Sequence, residues 1–275
     1  MKAAIVGIGL MGGSLGLALQ KTNIFDEVLG YDHNGRHEKE AISLGLVHRL
    51  IDFEELKNCD CIFLAIPVQG IIEFLQNIDG LKKDATIIDL GSTKELIINN
   101  IPSKIRTNFV AAHPMTGTEK SGPTAAEAKL YENKIVVLCD LEHSGDKQQK
   151  LAIEVFEKIG MNLVFMDSKN HDIHACYMSH LPHAISFALA NTVMNQEDPK
   201  AIVTLAAGGF RDMSRVAKSS PQMWTDIFKQ NKQNLLDSLE LFEQNIHNIK
   251  TMIEKDEYNN IKEWMSKANT LHEIL

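Results

Sequence analysis

A histidine, a serine and two arginines stand where this chain could do chemistry. His113 opens the segment His113-Pro114-Met115-Thr116-Gly117-Thr118-Glu119-Lys120-Ser121-Gly122, polar and rich in turn-forming residues, directly after an apolar run over residues 108–112. Oxidation of an alcohol needs an acceptor for the hydroxyl proton while hydride leaves carbon. A neutral imidazole, with an ordinary pKa of about 6.5, meets that need near neutral pH. The same place also suits a loop histidine that caps a backbone group. Ser92, in Gly91-Ser92-Thr93-Lys94 after the run Ile87-Ile88-Asp89-Leu90, can orient a neighbouring base, touch a nicotinamide or cap a helix N-terminus. Arg211 and Arg215 lie in Gly208-Gly209-Phe210-Arg211-Asp212-Met213-Ser214-Arg215. Either guanidinium fork matches a substrate carboxylate, and either equally suits an ion pair with Asp212 or another acid.

Four further histidines, His171, His174, His180 and His183, share one segment and invite a metal reading. A regular α-helix turns about 100° per residue, which spreads them over widely separated directions, and Pro182 disturbs the geometry further. No metal is expected. They read as polar residues with satisfied partners at a buried interface. Alternatively one of them, within Ser179-His180-Leu181-Pro182-His183, reaches a substrate.

A cofactor site precedes these groups in the chain. Residues 2–7 (KAAIVG) form a short apolar strand, and Gly7-Ile8-Gly9-Leu10-Met11-Gly12 follows as G-x-G-x-x-G. Residues 14–20 start a helix, and a second strand over residues 28–31 ends on Asp32, twenty residues after Gly12. Gly7 permits the tight turn, Gly9 lets backbone approach a pyrophosphate, and Gly12 lets helix and strand pack closely. The free amides of the helix N-terminus face the phosphates, and Leu10 and Met11 within the glycine turn count among the cofactor-binding residues. Asp32 accepts hydrogen bonds from an adenosine ribose, which favours NAD over NADP. Glycines at 7, 9, 12, 13 and 16 argue against reading residues 3–19 as a membrane span, and there is no convincing signal-peptide pattern.

The elements that position these groups alternate through the first 165 residues or so. Apolar runs of strand length at residues 61–66, 85–89, 108–112, 135–138 and 162–166 are separated by helical or loop segments. Such strands imply a parallel sheet covered on both faces, with ligands beyond the strands' C-terminal ends. After Asp167 the strand signals end. Residues 171–194 read as a helix apolar around most of its circumference, more than a small monomeric domain easily buries. Ser220-Pro221 starts a very long helix with a 4, 3, 4, 3, 4 seam of Leu235, Leu239, Phe242, Ile246, Ile249 and Ile253, and a last amphipathic helix spans residues 256–271. The expected fold class is therefore a doubly wound α/β domain over residues 1–167, followed by an all-α domain over residues 168–275 that completes its core with a second copy of itself.

The chain of 275 residues carries a net charge of −8 and no basic block, so nucleic acid is not an expected partner. Its 44% hydrophobic and 23% charged residues are those of an ordinary globular protein without membrane association. Four cysteines without metal spacing suit a reducing cytoplasm.

GIGLMGGSL, DLGSTK, HPMTGTEKSG, SHLPHA and GGFRDMSRVAKSSPQMW, in that order, together resemble the prephenate dehydrogenases of tyrosine biosynthesis, the TyrA family. The resemblance covers most of the chain, and HPMTGTEKSG and SHLPHA are its most specific parts. It implies a Rossmann-type NAD domain, a helical dimerisation domain, and NAD-dependent oxidative decarboxylation of prephenate to 4-hydroxyphenylpyruvate. Carried over by motif, it makes His113 the catalytic histidine at the ring hydroxyl, assisted by Ser92. It makes Arg215 the carboxylate-binding arginine and puts His183 in the substrate pocket with Thr118 and Glu119 nearby. Trp224 is expected to approach the site, from its own subunit or its partner's. Arogenate, alone or beside prephenate, is the alternative substrate; a silent NAD-binding dimer is a more distant one. With no mutase module before Met1 and no room for an ACT domain, any tyrosine inhibition is expected at or near the active site.

Overall fold

The alternation of apolar strands and helices builds one sheet with a helical segment after it; the computed structural model describes residues 1–118 and 120–274. Along the chain come β1 (Lys2–Val6), α1 (Leu10–Leu19), β2 (Glu27–Tyr31), α2 (Gly35–Ser43), β3 (Arg49–Leu50), β4 (Cys61–Leu64), α3 (Val68–Asn77), β5 (Thr86–Asp89), α4 (Glu95–Ile98), β6 (Phe109–Pro114), β7 (Ile135–Cys139), α5 (Asp146–Lys158) and β8 (Asn162–Met166). The strands stand in the order β3-β2-β1-β4-β5-β6-β7-β8. The winding reverses between β1 and β4, the place where doubly wound sheets bind ligands.

Successive strand residues point to opposite faces. Ala3 and Ile5 of β1 and Val110 and Ala112 of β6 therefore join Leu15 of α1 and Phe156 of α5 in one core. Ala4, Val6, Phe109 and Ala111 join Ile71 and Leu75 of α3 in the other. The same parity turns His113 toward the second face.

The sheet departs from the expected parallel one at one place. β7 runs antiparallel to β6, with Val137 opposite His113. A parallel return needs a crossover that covers the sheet, usually a helix. Among the described residues, the connection over 115–134 contains only a short 3-10 turn at Pro123–Ala125 as its helical structure. β6 is also longer than its apolar run suggests. His113 is a paired strand residue, which removes the reading of it as a loop cap.

The helical segment comprises α6 (Ser168–Ala175), a π turn at Cys176–His180, α7 (Leu181–Met194), α8 (Pro199–Thr204), α9 (Gly208–Ser214), a 3-10 turn at Arg215–Lys218, α10 (Pro221–Gln230), α11 (Lys232–Glu254) and α12 (Tyr258–Asn269). Pro182 explains the π turn. It has no N–H to donate and its ring crowds the carbonyl four residues back, so a wider turn absorbs it. The expected very long helix is instead two helices, broken at Asn231. The Asn231 Nδ2 is buried and donates to the Asp172 carbonyl at 2.7 Å and to His180 Nδ1 at 3.1 Å. Its backbone, at φ −112° and ψ 38°, leaves the helix to make those bonds. Ser220 does cap α10, its hydroxyl accepting the Met223 amide at 3.4 Å.

α7 is apolar on most sides, yet Ser186 is its one buried residue within the chain. Met178, Met194, Leu205 and Met213 nearby are exposed, as are Ile246 and Ile253 of the α11 seam. No described helix is long and apolar enough to cross a membrane.

Candidate active site

The glycine turn has the geometry a dinucleotide needs. Gly7 has φ +88°, and a Cβ there would lie 2.6 Å from the Ala65 carbonyl oxygen; one on Gly12 would lie 1.9 Å from the Gly7 oxygen. Gly9, the N-terminal flank of α1, faces open space, which leaves room for a ligand against the backbone. Leu10 and Met11 form the first turn of α1. Asp32 is buried at the end of β2, where it accepts the Ile8 amide at 2.8 Å and the Asn34 amide at 2.9 Å. A carboxylate has about four lone-pair sites, so two remain for ribose hydroxyls. A cavity of about 280 Å³ beside it is walled by Tyr31, Phe53, Ile66 and Phe74 and suits an adenosine. Arg36 donates to Glu40 at 2.8 Å and does not neutralise Asp32.

The second centre lies at the other end of the switch. His113 Nδ1 is 2.8 Å from His171 Nε2, and His171 Nδ1 is 2.8 Å from Asp172 Oδ1. Asp172 also accepts the backbone amides of Lys94 at 2.8 Å and Glu95 at 3.0 Å. It thus supplies the N-terminal cap of α4 from across the chain, so Ser92 does not serve as that cap. The β5–β6 register pairs Asp89 with Ala111; His113 lies two residues beyond that pair on β6, and Gly91-Ser92 follow Asp89 after the end of β5. Beneath lies Lys94, fully buried, paired with the Asp89 carboxylate and donating to the Ala112 carbonyl at 2.7 Å. Burial first, then the proximity of His171, Lys94 and His180, which would repel a proton on the ring, holds the His113 imidazole well below its ordinary pKa. It is a neutral base at physiological pH.

Trp224 of α10 closes one side. It stacks on His183 with ring centroids 3.5 Å apart and meets His180 edge-on at 6.0 Å, all within one chain. The Trp224 indole nitrogen is buried without a hydrogen-bond partner among the described residues. His183 Nδ1 donates to the Ser179 carbonyl at 2.8 Å, leaving Nε2 with its lone pair. Burial holds His183 below its ordinary pKa and the nearby Arg215 charge adds to this. Burial takes His180 down to about 4. Arg215 is exposed and has no carboxylate within ion-pair distance among the described residues, whereas Arg211 Nε is spent on the Ala206 carbonyl at 3.2 Å.

Three of the four segment histidines therefore turn to one region, contrary to the expected spread. The π turn inserts an extra residue into the helical rotation that the expectation assumed to be regular. His174 is the exception and is exposed. Among the described residues no group of three or more His, Cys, Asp or Glu side chains is placed to hold a metal ion. Thr118 is exposed and its hydroxyl accepts the Lys120 amide at 3.3 Å; no contact ties it to the histidines. Glu119 lies outside the described residues. Sequence reasoning missed His171 as the partner of His113, together with Asp172 and Asn231; the adjacency His171-Asp172 was the one available signal.

A family model described as prephenate dehydrogenase, nucleotide-binding domain, matches residues 15–165, and one described as prephenate dehydrogenase, dimerization domain, matches residues 167–267. The chain belongs to the prephenate dehydrogenase family. It is 32% identical to prephenate dehydrogenase of Bacillus subtilis over 96% of this chain and 73% of that one. It is 32% identical to cyclohexadienyl dehydrogenase of Zymomonas mobilis over 91% and 87%. The crystal structure of Aquifex aeolicus prephenate dehydrogenase in complex with hydroxyphenyl propionate and NAD+ superposes with a TM-score of 0.92 at 32% identity, covering 99% of this chain and 97% of that one.

Proposed function

We propose that the chain is an NAD-dependent prephenate dehydrogenase that converts prephenate to 4-hydroxyphenylpyruvate and CO₂. The observation that carries this reading is a neutral, half-buried His113 at the end of β6, bonded to His171, in a chain that also builds an NAD-type glycine turn. NAD bound there, along Gly7, Gly9, Leu10, Met11, Gly12 and Asp32, supplies the acceptor for the hydride that leaves the ring carbon. His113 accepts the ring hydroxyl proton, and Ser92 orients the hydroxyl on the nicotinamide side. Arg215 holds a carboxylate, while His183 and Trp224 pack against the ring and side chain. Thr118 and Glu119 belong to the adjoining segment. The decarboxylation needs no base of its own, because loss of CO₂ makes the ring aromatic. That accounts for a site with one well-placed base and few cations.

The division at 167/168 and the homodimer through the helical segment belong to the same reading. Support for the dimer is the matched dimerization domain and the uncovered apolar surface of α7 and α11. Four free, buried cysteines accord with the cytoplasm. The test is product identification: NADH, CO₂ and 4-hydroxyphenylpyruvate should form in equal amounts from prephenate. NADH without CO₂ release would overturn the assignment.

A further inference from the structure

We propose that His171 and Asp172 are positioning residues that fix the tautomer of His113. The inference rests on the reading of His113 as the base. The chain of contacts leaves one consistent assignment of protons. Asp172 accepts two backbone amides, from Lys94 and Glu95, and as a carboxylate it only accepts. His171 Nδ1, 2.8 Å from Asp172 Oδ1, therefore carries a hydrogen. In a neutral imidazole the other nitrogen is then an acceptor. His171 Nε2 accepts from His113, whose Nδ1, 2.8 Å away, must carry its hydrogen. His113 Nε2 is left with a bare lone pair, the form required to take a hydroxyl proton. An isolated imidazole favours the opposite tautomer, with hydrogen on Nε2, and that form offers no lone pair at this atom.

The burial of the pair makes the arrangement selective. Side chains of His171 and Asp172 are 2% and 3% exposed, so water does not compete for either contact. Reversing the proton order would set the bare lone pair of His171 Nδ1 against the Asp172 carboxylate, two acceptors facing each other at 2.8 Å. Asp172 does a second thing at once. By capping α4 it fixes the start of the helix that follows Ser92. One carboxylate from the helical segment thus orders both halves of the catalytic pair on the sheet.

The test separates orientation from mere packing. His171→Gln keeps a carbonyl oxygen able to accept the His113 Nδ1 hydrogen, whereas His171→Leu keeps bulk but accepts nothing. His171→Leu should lower kcat by roughly 10²–10⁴-fold, the range lost when a base is held in the wrong tautomer, with KM changed by less than about threefold. His171→Gln should recover kcat to within about tenfold of the parent. ¹⁵N NMR of the substrate-free protein, with the His113 signals assigned by their loss in His113→Asn, reads the tautomer directly. The parent and His171→Gln should carry hydrogen on His113 Nδ1, and His171→Leu should shift it to Nε2. A parent with hydrogen on Nε2 overturns the proposal, as does His171→Leu with kcat within threefold of the parent or His171→Gln as impaired as His171→Leu. The NMR result on the parent needs no substrate and no His171 variant. It therefore stands or falls independently of whether prephenate is the substrate.

Discussion

Replacing His113 by Asn keeps a polar side chain and removes the proton acceptor. We expect kcat to fall by roughly 10²–10⁴-fold with a modest change in KM. Because burial holds His113 well below the ordinary imidazole value, the base is still unprotonated as pH falls through about 6.5. The parent's kcat should stay level there and decline only at more acid pH; a decline centred near 6.5 would contradict the placement. Arg215→Ala should mainly raise KM with kcat changed far less, because a guanidinium that holds the carboxylate in ground and transition state alike contributes uniform binding. Arg211→Ala should be milder, since Arg211 already donates to the Ala206 carbonyl. Steady-state kinetics on both variants checks this, and a larger loss at Arg211 would reverse the choice. His113 and the glycines were legible in sequence because each sits at a fixed offset from a strand end. His171 was not legible as their partner, because it meets His113 from 58 residues away and from a different layer of the fold.

At the scale of elements, the strand–turn–helix–strand beginning was readable because its requirements are local. Gly7 and Gly12 are where a Cβ cannot fit, and Asp32 caps the turn through the Ile8 amide. The antiparallel β7, the π turn and the break at Asn231 were not readable, since each is set by distant partners. Asn231 shows the logic: its pattern continues a helix, but its side chain has the Asp172 carbonyl and His180 to satisfy. The same network predicts how stability responds to acid. His180 has a folded pKa of about 4 against about 6.5 unfolded, so between these values the unfolded chain binds more protons. Stability should therefore be level above about 6.5 and fall as pH drops toward 4, by roughly 3 kcal/mol from this group alone. His113, shifted in the same direction, adds to the loss. Denaturant unfolding across that range measures it; stability unchanged between pH 7 and 4.5 would contradict the buried neutral imidazoles.

For the whole molecule, the helical segment leaves apolar surface that a lone chain does not cover. Leu205 after α8 is 85% exposed, and Met178, within the π turn that carries His180, is 71% exposed. Patches of this kind mark association surfaces. Sedimentation at micromolar concentration should give a dimer, and a stable active monomer would contradict this. Since the exposed face adjoins the turn that carries His180, assembly and activity should fail together on dilution.

The central claim is that this site oxidises prephenate with NAD. It is tested most directly by initial rates of NADH formation with prephenate and with arogenate, each compared with the NADP reaction. Asp32, with Arg36 turned to Glu40, predicts a clear preference for NAD in kcat/KM. The neutral His183 beside Arg215 suits a keto acid better than an ammonium group. The account predicts the highest kcat/KM for prephenate with NAD. Absence of NADH formation from prephenate, or equal turnover with NADP, would contradict it.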